Sequence, residues 1–100
     1  MTKEQFILSE NYLKAIEGFG INYRFSLEDR LVDGESNYTD CKTANDVIKE
    51  LKKFVSDNNF NPNDYECLAV LIYNAKSELN EPDIDDEDNW GEREAEYYFI

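Results

Sequence analysis

The residues of this sequence that could most readily carry out chemistry are the carboxylates, and ten of them lie within the stretch 78–96. Arg93 is the one basic residue that offsets them there. Carboxylates at this density can bind a divalent cation, carry out acid–base catalysis or attract a basic partner. The three activities make different demands on spacing and surroundings, so the sequence can discriminate between them.

A calcium-binding loop is the first candidate. If Asp85 is the first ligand, Glu96 falls on the twelfth position, as the helix–loop–helix pattern requires. Trp90 then occupies the position where the sharp turn of the loop needs glycine, and Gly91 arrives one residue late. We therefore predict no metal site.

Catalysis is the second candidate. Acid–base chemistry needs two carboxylates in contrasting environments around a pocket, and neighbours such as Asp85 and Asp86 in one solvated run provide neither condition. The sequence has no histidine, which removes the commonest general base, and it has no nucleophile elbow or phosphate-binding glycine loop. We therefore predict a protein that is not an enzyme, with no catalytic residue and no cofactor.

The two cysteines, Cys41 and Cys67, do not have the spacing of a redox or zinc motif. In a cytosolic chain they are expected to be reduced and to act as small apolar residues. A disulfide would require export, or a fold that brings the two thiols together.

Charge favours the third candidate, a basic partner. The chain has 10 basic and 23 acidic residues among 100, a formal net charge of −13. A direct interaction with nucleic acid or with an anionic membrane surface is disfavoured, because both require clustered lysine and arginine. The absence of an apolar run of membrane-spanning length and of a basic-then-apolar leader predicts a cytoplasmic protein.

The first elements that could position these residues are a helix and a strand. Apolar residues recur at helical spacing between Lys3 and Gly18, which predicts an amphipathic helix that ends near the glycines Gly18 and Gly20. From Ile21 to Leu27 apolar and polar residues alternate, which predicts a strand.

A hairpin and a second helix follow. Asp33-Gly34 is a signal for a tight turn, and it predicts a short second strand from Ser36 to Thr39. Thr43 has the properties of a helix cap, because an acidic residue stands three positions later and apolar residues then recur at helical spacing. This helix is predicted to end at residues 57–59 and to expose a cluster of lysines, Lys49, Lys52 and Lys53.

The segment after Asn61 has two interpretations. Asn61-Pro62 is typical of a helix start, and the spacing of Tyr65, Leu68, Ile72, Ala75 and Leu79 favours a helix through Asn80. The apolar run Cys67 to Tyr73 also fits a buried strand. We predict the helix, because of the cap and the length, and we expect Tyr97 to Ile100 to pack on the core or to add a strand.

These elements predict one α+β domain over residues 1–100, consisting of an N-terminal helix, a β-hairpin, two further helices and a C-terminal segment packed on the core. The predicted core consists of Ile21, Tyr23, Phe25, Leu27, Val47, Ile48, Leu51, Phe54, Leu68, Ile72 and Phe99.

The run Asp83-Ile84-Asp85-Asp86-Glu87-Asp88, together with the small size and acidity of the chain, resembles the DNA-mimic inhibitors of phages and mobile elements, such as anti-restriction and anti-CRISPR proteins and uracil-glycosylase inhibitors. The resemblance implies a non-catalytic protein whose carboxylates imitate phosphates and occlude the DNA-binding surface of a host defence or DNA-processing protein. The residues predicted to bind this partner are Asp83, Asp85, Asp86, Glu87, Asp88, Trp90, Glu92, Glu94 and Glu96.

Two other functions stay open. An immunity protein that neutralises a nuclease toxin is also small and acidic, and it binds one cognate toxin with a basic active site. An acidic adaptor or assembly subunit needs only a partner that is basic. A DNA mimic should be displaced by duplex DNA and should bind a large host defence complex, whereas an immunity protein should bind one cognate toxin.

Overall fold

Two α-helices pack on one face of a four-stranded antiparallel sheet in the computed structural model, which describes residues 2–75 and 90–100. This arrangement confirms the α+β class. The strand order is β2-β1-β3-β4. The helices are α1 (Glu10–Glu17) and α2 (Ala44–Ser56), and the strands are β1 (Tyr23–Leu31), β2 (Ser36–Cys41), β3 (Tyr65–Ala75) and β4 (Trp90–Tyr98).

The N-terminal helix is shorter than the sequence predicts. A 3-10 turn at Lys3–Gln5 is closed by a capping box, in which the amide of Gln5 donates to the Thr2 hydroxyl and the amide of Thr2 donates to the Gln5 side chain. The chain is then extended at Phe6, and a second cap at Ser9 begins α1. The helical spacing of the apolar residues therefore spans two separately capped elements.

The hairpin is confirmed. Gly34 adopts φ +98°, and the Leu31 amide donates to the Glu35 carbonyl at 2.8 Å. A glycine in this conformation after a turn is typical of a three-residue hairpin loop with a bulge. β1 and β2 are longer than predicted, and they pair in continuous register from Phe25–Cys41 to Arg30–Ser36.

The placement of Ile21 in the core is wrong. Its side chain is 87% exposed, because residues 21–22 form a turn and β1 begins at Tyr23, whose amide donates to the carbonyl of Gly20. The alternation itself is in the correct phase, since Phe25 and Leu27 are buried on the helix-covered face.

The second helix is confirmed. The Thr43 hydroxyl accepts the Asp46 amide at 3.1 Å, and α2 ends at Ser56. Its residues Val47 and Leu51 are fully buried. The predicted lysines are on its exposed side: Lys49, Lys52 and Lys53.

The predicted third helix is wrong over the described residues, because the segment is strand β3. The cap at Asn61 is real, but it closes only a 3-10 turn at Pro62–Asp64. Residues 67–72 are all buried, and β3 is flanked by β1 on one side and β4 on the other. Alternate residues of the strand belong to two different clusters, one on each face of the sheet. A continuous apolar run is what a central strand requires. The predicted continuation from 76 to 80 lies outside the described residues.

The C-terminal segment adds a strand, as expected, because β4 pairs with β3. Most of the predicted core is confirmed as buried, namely Phe25, Leu27, Val47, Ile48, Leu51, Leu68 and Ile72. Partial burial is found for Tyr23, Phe54 and Phe99, which pack against that core.

The sheet has two different faces. One face forms the main core with the buried residues of α1 and α2, whereas the other carries a small cluster of Cys67, Ala69 and Leu71 to which no described helix contributes. We call the second face the open face.

Neither described helix is long and apolar enough to cross a membrane.

Candidate partner-binding site

The described part of the predicted site is strand β4, at one edge of the sheet. Glu92, Glu94 and Glu96 are all exposed on it. Trp90 is the first residue of the strand and stands opposite Ala75 in the register. The other predicted residues lie outside the described part of the chain: Asp83, Asp85, Asp86, Glu87 and Asp88.

Side-chain contacts hold two of the three glutamates of β4. The Glu94 carboxylate accepts the Asn74 amide at 3.3 Å. The Glu96 carboxylate accepts the hydroxyl of Tyr98 at 2.6 Å and the guanidinium of Arg93 at 3.3 Å. Such contacts restrict the rotamers of the carboxylates, so less conformational entropy is lost when a partner binds them.

Arg93 is engaged within the chain. Its guanidinium donates to the Tyr73 hydroxyl at 2.8 Å and lies 5.3 Å from the centroid of that ring. The pKa of Arg93 is raised, first by this hydrogen bond and further by the nearby charge of Glu96, against the opposing effect of burial. The one basic residue of β4 is thus directed at the protein's own sheet.

Irregular pairing separates the glutamates. The β3–β4 register shifts twice, between Ile72 and Tyr73 and between Tyr73 and Ala75. A bulge places two residues of one strand opposite one residue of the other, which interrupts the alternation of side chains. Glu94 therefore lies beside Asn74, whereas Glu96 lies beside Tyr98.

A polar cluster that the sequence did not indicate lies on the open face. The Glu28 side chain is 7% exposed, and its carboxylate accepts the Tyr38 hydroxyl at 2.8 Å, the Arg30 guanidinium at 3.1 Å and the Cys67 thiol at 3.7 Å. The hydrogen bond to Glu28 is the largest cause that raises the pKa of Tyr38 and of Arg30. With its charge satisfied by three donors, Glu28 has the character of a structural residue that fixes Tyr38 on β2.

A cleft opens on the other face, between α2 and β2, and we call it the α2 cleft. It has a volume of about 400 Å³. Phe54, Phe60 and Tyr65 contribute aromatic rings that pack together at centroid distances of 5.3–5.7 Å. Its polar lining consists of Thr39, Glu50, Lys53, Asp57 and Asn59.

The electrostatic environment of the α2 cleft is negative. The pKa of Tyr65 is raised first by burial and then by the charges of Asp29, Asp64 and Asp57. Burial is also the largest cause that raises the pKa of the Cys41 thiol to about 11, with further contributions from Glu50, Asp46 and Asp40. The lining of the cleft itself contains two carboxylates, Glu50 and Asp57, and one lysine, Lys53.

The two thiols are on opposite faces of the sheet. Cys41 belongs to the main core, whereas Cys67 belongs to the open-face cluster, and both are free. This placement agrees with the expectation of two unpaired thiols. Cys41 packs as an apolar residue, whereas the Cys67 thiol also donates to the Glu28 carboxylate. The alternative of a disulfide between them is wrong for this fold.

No candidate metal site is formed by the Cys, Asp and Glu side chains of residues 2–75 and 90–100. The arrangement that remains is a pair of edge strands with different chemistry: β4 with exposed carboxylates, and β2 beside an aromatic cleft.

Comparisons of the chain with protein-family models, with curated proteins and with solved structures find no match.

Proposed function

We propose that this chain is a non-catalytic acidic inhibitor that binds the basic, nucleic-acid-binding surface of a host defence or DNA-processing protein. In the proposal its carboxylates take the place of phosphates. The proposal includes a cytoplasmic location, where the free thiols Cys41 and Cys67 would stay reduced.

The observation that carries the proposal is the placement of Glu92, Glu94 and Glu96 on strand β4. All three are exposed, and the backbone that bears them is hydrogen-bonded to the central strand β3. Charges on a rigid element can fix the register of a partner, whereas charges on a mobile chain mainly accelerate the encounter.

The distribution of charge supports the same proposal. The described residues contain sixteen acidic and nine basic side chains, and the segment 76–89 adds seven acidic residues and one lysine. The lysines of α2 belong to a helix that packs against β1 and β2, whereas β4 is the opposite edge of the sheet. A partner with clustered lysine and arginine would therefore meet complementary charge at β4.

The test compares two variants of equal net charge. One variant changes Glu92, Glu94 and Glu96 to Gln, and its matched control changes three exposed glutamates at the N-terminal end, Glu4, Glu10 and Glu17, to Gln. Host proteins retained on a duplex-DNA column serve as the source of the partner, which is captured from them by the original chain. The affinity of the captured protein for each variant is then measured by titration at about 50 mM salt.

Exposed ion pairs contribute about 0.2–1 kcal/mol each, so loss of three should weaken binding by about 3- to 150-fold. The control should bind with nearly the affinity of the original chain, since it removes the same number of negative charges at a different place. Duplex DNA should displace the partner, and the difference between the variants should shrink as salt rises.

Equal weakening by both variants would mean that only net charge matters, which contradicts a site on β4. A captured partner that duplex DNA does not displace would contradict mimicry. A third variant, with Asp85, Asp86 and Asp88 changed to Asn, tests whether the acidic run adds to the contact, and mimicry by that run predicts a further loss of affinity.

A further inference from the structure

The two edges of the sheet are protected to different degrees. Edge β4 carries three glutamates and an arginine and is bulged, features that discourage pairing with another strand. Edge β2 has no register shift against β1, has five exposed residues out of six, and has Asp40 as its one charged residue. By these criteria β2 is the edge that is available to an additional strand.

The backbone of β2 presents hydrogen-bonding groups outward at alternate residues. The Leu31 amide donates to the Glu35 carbonyl, so that pair is of the hydrogen-bonded type. Bonded and non-bonded pairs alternate in an antiparallel ladder. Ser36, Tyr38 and Asp40 fall on the non-bonded positions, and their amides and carbonyls therefore point away from β1.

The α2 cleft lies beside this edge. Thr39 of β2 lines the cleft together with Glu50 and Tyr65. Directly opposed residues in an antiparallel pair point to the same face. A strand added to β2 would therefore direct the side chain opposite Thr39 toward the cleft and its aromatic rings. The charged residues of the lining are two carboxylates, Glu50 and Asp57, and one lysine, Lys53. This excess of carboxylate beside aromatic rings is a suitable environment for a further lysine or arginine.

We propose that β2 and the α2 cleft bind an extended, lysine- or arginine-rich segment of the partner, which adds to β2 as a fifth strand and places one cationic side chain in the cleft. This inference rests on the proposed function, since it names a second contact with the same kind of basic protein. Main-chain hydrogen bonds would supply affinity, and the cleft would supply specificity.

The direct test uses a peptide of about nine residues, long enough to span β2, with alternating lysine and threonine and blocked ends. Amide hydrogen exchange is followed by NMR with and without the peptide. The outward amides of Ser36, Tyr38 and Asp40 should gain protection by about ten-fold or more at saturation. The amides of Asn37 and Thr39, already bonded within the sheet, should change little.

Two substitutions test the two parts of the site. Tyr38→Pro removes one outward amide and should abolish peptide binding, whereas the matched control Tyr38→Phe keeps the amide and should bind. Glu50→Gln leaves the strand edge intact and should weaken binding by about 2- to 5-fold, so the test does not depend on the proline variant folding. A peptide with glutamate in place of lysine should not bind.

The proposal is overturned if the lysine peptide protects no β2 amide, or if those amides become protected with rising protein concentration alone, which would identify a second copy as the occupant. The proposed function fails separately. If a basic partner is captured through β4 while Tyr38→Pro and Glu50→Gln leave its affinity unchanged, the inference about β2 is wrong and the inhibitor proposal stands.

Discussion

Leu51 should be among the most sensitive positions in the fold, and the change to test is Leu51→Ala. Its side chain lies on the sheet-facing side of α2 and is fully buried in the main core with Phe25 and Val70. The substitution removes three carbon groups, which at about 0.8 kcal/mol per buried group costs about 2.4 kcal/mol of transfer free energy. A residual cavity of about 50 Å³ adds about 1.2 kcal/mol at about 24 cal/mol per Å³.

The expected loss in the free energy of unfolding is therefore about 3.5 kcal/mol, measured by urea denaturation at neutral pH. In a domain of this size the loss corresponds to a fall in the melting temperature of about 14–28 °C. The matched control is Lys52→Ala, at the neighbouring exposed position on the same helix. It should stay within about 0.5 kcal/mol of the original chain.

Coincident urea midpoints for Leu51→Ala and Lys52→Ala would refute the assignment of the buried face of α2. The slope of the unfolding free energy against urea should be the same in both variants. A shallower slope in Leu51→Ala would show that the unfolded or the native state had changed compactness, and the free energy could then not be assigned to lost packing alone.

Two further predictions concern backbone packing and ionisation. Gly91→Ala should destabilise the chain by about 1–3 kcal/mol in urea denaturation, because a Cβ there would overlap the backbone carbonyl of Asn74. The control Gly20→Ala should cost far less in the same assay, because there is open space around Gly20. The raised pKa of the Cys41 thiol, about 11, implies that stability is fully present below the unfolded value near 8.5 and is lost as pH rises toward 11. Between those limits the original chain should lose up to about 3 kcal/mol more than Cys41→Ala does, and parallel pH profiles for the two proteins would contradict the shift.

The sequence predicted the local elements well where capping or turn chemistry was explicit. Thr43 begins α2 as expected, and Gly34 closes the expected hairpin. These signals depend on residues close together in the chain. Their physical cause, one side chain satisfying one nearby backbone group, acts regardless of the rest of the fold.

The error at β3 came from a pattern that depends on distant residues. Tyr65, Leu68 and Ile72 match helical spacing, yet Ala69 and Leu71 between them are just as buried. A helix that is buried on one side has no need of those apolar residues, but a strand between β1 and β4 does. Only the positions of its neighbours decide between the two, and the local sequence does not contain them.

The burial of Glu28 could not be predicted for a similar reason. In the alternating pattern of β1 it occupies a polar position, which normally means exposure to solvent. It is buried because Tyr38 on β2 and Cys67 on β3 flank it across the sheet. The register of three strands creates this cluster, and no spacing within one strand indicates it.

The carboxylates of β4 have a structural role that is compatible with partner binding. An edge strand with unpaired backbone groups invites association with other strands, and exposed charges oppose it. Glu94 and Glu96 can serve in this way at little cost, because the bulge separates them and each accepts a hydrogen bond from a neighbouring side chain. Self-repulsion along β4 is thereby reduced without loss of negative charge. Glutamine is therefore the appropriate replacement in the binding test, since it removes the charge but retains an acceptor for Asn74 and Tyr98, so that a loss of affinity reports on charge and not on a disordered edge.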